Sequence, residues 1–229
     1  MLPTRIVLLS VLALSACSSS AATTRSFPIG GFDRVANSAP VDVRVHVGAA
    51  PSASASGPQN VLDRLVIEVR NGELVVGTKP GLFTGWHSSG RVYVDVTVPA
   101  LNGATLSGPG NLAIDHVRAR TFTARLSGPG DMSVAALEAQ QVIADLSGPG
   151  DLTLAGNAAS ARVSLSGPGN VHGSALTLRD AEVSLSGPGD IALTASGQVR
   201  GRLSGPGDIR ITGGAHCSIS KSGPGDVSC

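Results

Sequence analysis

Apolar and polar residues alternate with a period of two along most of this chain. Val41-Asp42-Val43-Arg44-Val45-His46-Val47, Leu65-Val66-Ile67-Glu68-Val69 and Val92-Tyr93-Val94-Asp95-Val96-Thr97-Val98 are the plainest stretches. That period places alternate side chains on opposite faces of a strand, one buried and one wet. From Ser107 onward the alternation acquires a second, longer period. The phrase Ser-Gly-Pro-Gly begins at Ser107, Ser127, Ser147, Ser166, Ser186, Ser204 and Ser222, at steps of 20, 20, 19, 20, 18 and 18 residues.

With each of these serines as position zero, position five holds Leu112, Met132, Leu152, Val171, Ile191, Ile209 and Val227. The residue before the serine is Leu106, Leu126, Leu146, Leu165, Leu185 and Leu203, then Lys221 in the last copy. Apolar positions of one parity thus flank every phrase. A repeat of this length that cannot bury its apolar face alone must stack on its neighbours. The pattern predicts an all-β parallel β-helix (β-solenoid) of about 18–20 residues per coil. Two short strands per coil would be joined by the Ser-Gly-Pro-Gly corner and a looser turn.

The corner has a local chemistry. Proline fixes φ, and a glycine after it at positive φ would give a type II turn. Asn111, Asp131, Asp151, Asn170, Asp190, Asp208 and Asp226 follow the phrase, and such side chains commonly close a turn on nearby backbone amides. Stacking would align Asp131 with Asp151, and Asp190 with Asp208 and Asp226. Like charges so placed repel unless locally bonded or bridged by a cation. Calcium is the metal such a column would take, although the spacing of calcium-binding β-helix repeats is absent. On outward positions, Arg125 would lie beside Asp145, and Arg162, Glu182 and Arg200 would alternate in sign.

Residues 27–103 lack the phrase but keep the strand pattern, and are expected to form an N-terminal cap and opening coils; a separate small β domain is the alternative. Residues 104–229 form the repeat solenoid. Asn71-Gly72 signals a tight hairpin turn. Gly48 to Gln59 reads as a small-residue loop. Gly81 to Ser88, which holds the single Trp86, reads as a cap over the open end or an exposed contact for a partner.

At the start, Arg5 precedes an apolar run from Ile6 to Ala16 that is too short to span a bilayer and fits a secretory signal. Leu14-Ser15-Ala16-Cys17 resembles the bacterial lipobox. That implies cleavage after residue 16 and lipid on Cys17, with Ser18 favouring the outer membrane. An ordinary signal cut near Ala21-Ala22 is the alternative. Residues 17–26 then form a tether. Loss of Arg5 leaves 16 Lys+Arg against 16 Asp+Glu, so the exported chain has no net charge. With no basic run, nucleic acid is not an expected partner.

Candidates for chemistry are few. His46, His87, His116, His172 and His216 share no metal spacing, no Gly-x-Gly precedes a helix, and no cofactor or metal is expected. No catalytic cluster stands out. Cys217 and Cys229 lie five before and seven after Ser222, both on the inward parity. In an oxidising compartment they are expected to pair and clamp the last coil, two buried thiols being the alternative.

The lipobox, the alternating opening strands, Val98-Pro99-Ala100-Leu101 and the tandem Ser-Gly-x-Gly-Asp-Ile/Leu copies together resemble the head GIN domain family of auto-transporter adhesins. The resemblance covers Phe27 to Cys229, and proline throughout the phrase departs from the family's usage. It implies a right-handed β-helix on an exported protein and carries no catalytic residues. The expected function is a non-catalytic cell-envelope lipoprotein, an adhesin-like module presenting a repetitive surface to a glycan or an envelope protein. A periplasmic structural lipoprotein and a polysaccharide-active enzyme are the alternatives.

Overall fold

A computed structural model describes residues 23–79 and 91–229. Cys17 and the Trp86 loop lie outside the described residues. The strands of the first half are β1 (Thr23–Phe27), β2 (Arg34–Asn37), β3 (Asp42–Val47), β4 (Ser52–Gly57), β5 (Leu65–Arg70), β6 (Glu73–Thr78), β7 (Tyr93–Val98), β8 (Gly103–Leu106) and β9 (Leu112–Ile114). One short helix, α1 (Gln59–Leu62), lies between β4 and β5. The repeat half continues with β10 (Val117–Leu126), β11 (Met132–Leu146), β12 (Leu152–Leu165), β13 (Val171–Leu185), β14 (Ile191–Ala195), β15 (Gln198–Leu203), β16 (Ile209–Thr212), β17 (His216–Lys221) and β18 (Val227–Ser228).

In the repeat half each coil pairs in parallel with the next, in register: Ala124 with Ala144, Ala144 with Val163, Val163 with Val183 and Val183 with Gly201. The result is a parallel β-solenoid whose core is mostly Leu, Val, Ile and Ala, with Phe122 and Met132. Each buried Leu, Ile or Val contributes about 1.5–3 kcal/mol.

The coil has one more face than the spacing suggested. In the coil after Ser107 the inward side chains are Leu112 and Ile114, then Val117 and Ala119, then Phe122, Ala124 and Leu126. Two non-inward residues in a row, Asp115-His116 and Arg120-Thr121, turn the corners between these runs. Two odd steps cancel, so the outer runs keep one parity and conceal the middle face. In the 18-residue coil after Ser186 this face shrinks to one inward residue: Ala195 pairs with Leu178 of the middle face, and Ser196-Gly197 then turn the chain to Val199, which pairs with Ala181. In the 19-residue step, Gly156 at φ 125 takes up the missing residue.

The phrase works differently from a type II turn. Among the described glycines only Gly72, Gly156, Gly213 and Gly214 have positive φ, and none belongs to a phrase. Both phrase glycines instead point inward against the backbone of the coil before. A Cβ at Gly130 would lie 2.1 Å from the Gly110 carbonyl oxygen, and one at Gly189 only 1.8 Å from that of Gly169. Close backbone approach, not turn geometry, excludes a side chain here.

The first half stacks out of chain order. β2 lies parallel between β6 and β8, and β3 between β7 and β9, so residues 34–47 form a coil inserted between two later ones. At its corner stands Ser38-Ala39-Pro40-Val41, a degenerate copy of the phrase, with Asn37 where the repeats carry leucine. Asn37 is the one fully buried polar side chain among the described residues. Its Nδ2 donates to the Val41 carbonyl at 2.9 Å, and its Oδ1 accepts from the Ala39 amide at 3.0 Å.

Antiparallel strands close this end. β4 pairs with β7, β1 with β4, and β5 with β6 around Asn71 (φ 51) and Gly72 (φ 76), as the Asn-Gly signal predicted. The segment Gly48–Gln59 is therefore no loop. Ser52-Ala53-Ser54-Ala55-Ser56-Gly57 alternates in two with small residues and turns Ala53 and Ala55 inward. Likewise β1 takes in Thr23–Ser26, which composition placed in the tether. Arg25 anchors it, with Nη2 2.6 Å from Asp63 Oδ1.

At the other end Cys217 and Cys229 are bonded, tying β17 to the chain after β18. Lys221 occupies the inward column that holds leucine in six earlier copies, and its Nζ lies 3.1 Å from Asp226 Oδ1. A charged side chain on this end strand disfavours pairing with another chain.

Candidate functional site

Stacking converts each repeated residue into a column. Along the phrase edge Pro109, Pro129, Pro149, Pro168, Pro188, Pro206 and Pro224 are all exposed, one per coil. Beside them runs a ladder of side-chain acceptors. The Asn111 amide donates to Asp42 Oδ1 at 3.0 Å, Asp131 to Asn111 at 2.9 Å, Asp151 to Asp131 at 2.9 Å and Asn170 to Asp151 at 2.8 Å. It continues through Asp190, Asp208 and Asp226, the last at 2.7 Å from Asp208 Oδ1. These side chains bond across to the next coil rather than within their own turn. Asp and Asn both serve because each rung needs an Oδ1 acceptor, and Asn170 adds a bond from its Nδ2 to Asp151 Oδ1 at 3.0 Å. Asp42 heads the ladder, and its signal was the Ser38-x-Pro40-x-Asp42 spacing. Among the described residues no group of three or more His, Cys, Asp or Glu is arranged to hold a metal ion.

A second polar knot bridges the two halves. Asp115 accepts from the Val47 amide at 3.1 Å and the His116 amide at 2.5 Å, and lies 3.2 Å from His46 Nδ1. Partial burial raises its carboxyl, but the bonds from Val47, His116 and His46 outweigh this and hold it below the usual carboxylate range. Sequence reading missed this group because 68 residues separate Asp115 from Val47.

A concavity lies on the third face, across β11, β12, β13, β15 and β17. It is a trough of about 1120 Å³. Gln141, Ser160, Arg162, Ser164, Asp180, Glu182, Ser184, Gln198, Arg200, Arg202 and Ser218 line it. Period two puts these polar groups outward on the same strands that send Ala161, Val163, Ala181 and Val183 into the core. The central column, Arg162, Glu182 and Arg200, runs between one that begins at Ser160 and one that holds Ser164 and Ser184.

The trough's charges are partly matched. Arg162 Nη2 lies 2.6 Å from Glu182 Oε2, in the predicted register. Arg200 stands opposite Glu182 but gives its Nη2 to Gln198 Oε1 at 2.6 Å. Asp180 accepts from the Gln198 amide at 2.9 Å and from Arg179 Nε at 2.8 Å; these two bonds, the amide first, hold its carboxyl below the usual range. Further along the face Arg125 Nε lies 3.5 Å from Asp145 Oδ2, also as predicted. Arg202 sits in register between Ser184 and Ser220 and has no hydrogen-bond or ion-pair partner among the described residues.

The fold and this wall define the chain as a capped parallel β-solenoid with a polar, grooved side. The model of the family described as putative auto-transporter adhesin, head GIN domain, matches residues 31–215, and the chain belongs to that family. Three crystal structures share the fold. One described as a putative adhesin from Bacteroides fragilis superposes with a TM-score of 0.85 at 22% identity, covering 92% of this chain and 97% of its own. One described as a putative lipid binding protein from Parabacteroides distasonis gives 0.72 at 19%, covering 91% and 96%. One described as a putative adhesin from Parabacteroides merdae gives 0.70 at 17%, covering 91% and 95%. A search of curated proteins finds no match.

Proposed function

We propose that this chain is a non-catalytic, adhesin-like binding module of the cell envelope that engages a polysaccharide along its third face. The trough carries the reading. It is long, open and polar, it crosses five strands, and its floor is held by in-register pairing. A rigid wall of this kind suits an extended polymer, because the protein has little conformational freedom to lose on binding. The acids in it, Asp180 and Glu182, are already engaged by Gln198 and Arg179 and by Arg162, which leaves neither poised for acid–base work. Family membership supports the adhesin-like role. Lipidation at Cys17 and residence at the outer membrane belong to the same proposal and rest on the lipobox resemblance.

The test is retention of the full chain and of Ser184→Trp, whose ring would fill the trough, on immobilised neutral and acidic polysaccharides. Retention of the wild type, with at least tenfold weaker binding by the variant at equal melting temperature, is the expected result. Retention that Ser184→Trp leaves unchanged would remove the trough from the proposal. Protease added to intact cells reports the exposed face of the membrane: loss of a tag at the C-terminal end places the wall outside, and protection places it in the periplasm.

A further inference from the structure

We infer that the polymer the trough takes is acidic, with its carboxylate or sulfate groups held at Arg200 and Arg202; this rests on the binding-wall reading above. Three guanidinium groups line the trough, against two carboxylates. Of the three, Arg162 is neutralised by Glu182 at 2.6 Å. Arg200 is held by the neutral amide of Gln198, which positions its guanidinium without cancelling the charge. Arg202 is unpartnered among the described residues. Both project from β15 on the same side of the strand, two residues and so about 7 Å apart.

The surroundings favour an anion carried on a hydroxylated chain. Ser184 and Ser220 stand on either side of Arg202 in strand register, about 4.8 Å away, and each offers a hydroxyl beside the guanidinium fork. A planar fork with neighbouring hydroxyl donors matches a carboxylate or sulfate oxygen pair. Two available cations on a chain with almost no net charge are too few to hold a phosphate backbone. They suit a polymer with spaced acidic groups and neutral stretches, the latter lying over Ser164 and Ser218.

The experiment measures binding of the full chain to polygalacturonate, dextran sulfate and unmodified dextran at low salt and in 0.5 M NaCl, the higher salt screening exposed charges. Variants are Arg200→Gln, Arg202→Gln and, as a control outside the trough, Arg210→Gln. The inference expects an acidic polymer to bind more tightly than dextran, with about threefold or greater loss for Arg200→Gln and for Arg202→Gln. High salt should cause a further loss, and Arg210→Gln none. Preference between polygalacturonate and dextran sulfate then identifies carboxylate or sulfate as the recognised group. Equal binding of dextran, or acidic-polymer binding untouched by Arg202→Gln, overturns the inference. Dextran binding lost in Ser184→Trp but kept in Arg202→Gln overturns it while sparing the binding wall, whereas no retention of any polymer overturns both.

Discussion

The two halves of this chain build the same stack by opposite routes. In the repeat half each coil rests on the one just before it, and the bonds between coils span 18 to 20 residues. In the first half the coil of β2 and β3 is reached early by the chain but seated between later coils, through bonds that span 38 to 69 residues. The repeat half uses one corner seven times because each corner rests closely on the backbone of the corner in the coil before it. At the corner beneath Gly108 and Gly110 the glycines are replaced by Ala39 and Val41. The Ser-Gly-Pro-Gly phrase is therefore a stacking requirement, written where a corner rests on the backbone of the corner before it.

The comparison breaks most sharply at a phrase glycine. Gly189→Val places atoms against the Gly169 carbonyl, which cannot move without opening both coils, and should cost more than about 3 kcal/mol. Gly31→Val in the first half meets nothing within 4 Å and should stay within about 0.5 kcal/mol by urea denaturation. Equal effects would reject the stacking account. The end clamp comes next. Cys217→Ser should lower stability by about 2–3 kcal/mol, and reductant should lower the melting temperature of the wild type but not of the variant. Two free thiols by mass spectrometry under non-reducing conditions would remove the clamp.

Asn37→Ala tests the inserted coil. It leaves the Val41 carbonyl and the Ala39 amide buried without partners, at a cost of about 2 kcal/mol. A smaller effect is expected in the ladder: Asp131→Ala removes the acceptor for the Asp151 amide and should cost about 1 kcal/mol, whereas Asp131→Asn should be silent. Millimolar calcium should not shift the melting temperature; a rise abolished by Asp131→Asn would make the column a cation site. The smallest effect concerns pH. The Asp115 carboxyl titrates lower in the folded chain than in the unfolded one. Its stabilisation is therefore present above the unfolded pKa of about 3.9 and lost as pH falls through the folded value. Solvent screening limits this to about half a kcal/mol. Acid melts of Asp115→Asn should decline less steeply below pH 4 than those of the wild type, and parallel curves would refute the assignment.

Much of the repeat half was legible because its contacts recur at nearly constant spacing. The period gave the solenoid, the inward columns, the Arg162–Glu182 and Arg125–Asp145 pairs and the Cys217–Cys229 bond. The middle face of the long coils was hidden because its two parity breaks cancel between Ile114 and Phe122. The trough was only half visible, since its residues could be named as outward but not its concavity, which depends on how serine and longer columns adjoin.

By itself the sequence determined strand, parity and period, since alternating burial and close backbone stacking impose those on neighbouring residues directly. Only the tertiary structure decided that residues 34–47 sit between later coils, that Asp42 heads the ladder, and that Arg202, unpaired among the described residues, stands beside Ser184 and Ser220. Those facts depend on partners whose separation along the chain follows no local rule, and on which of several competing side chains each guanidinium meets once the coils are stacked.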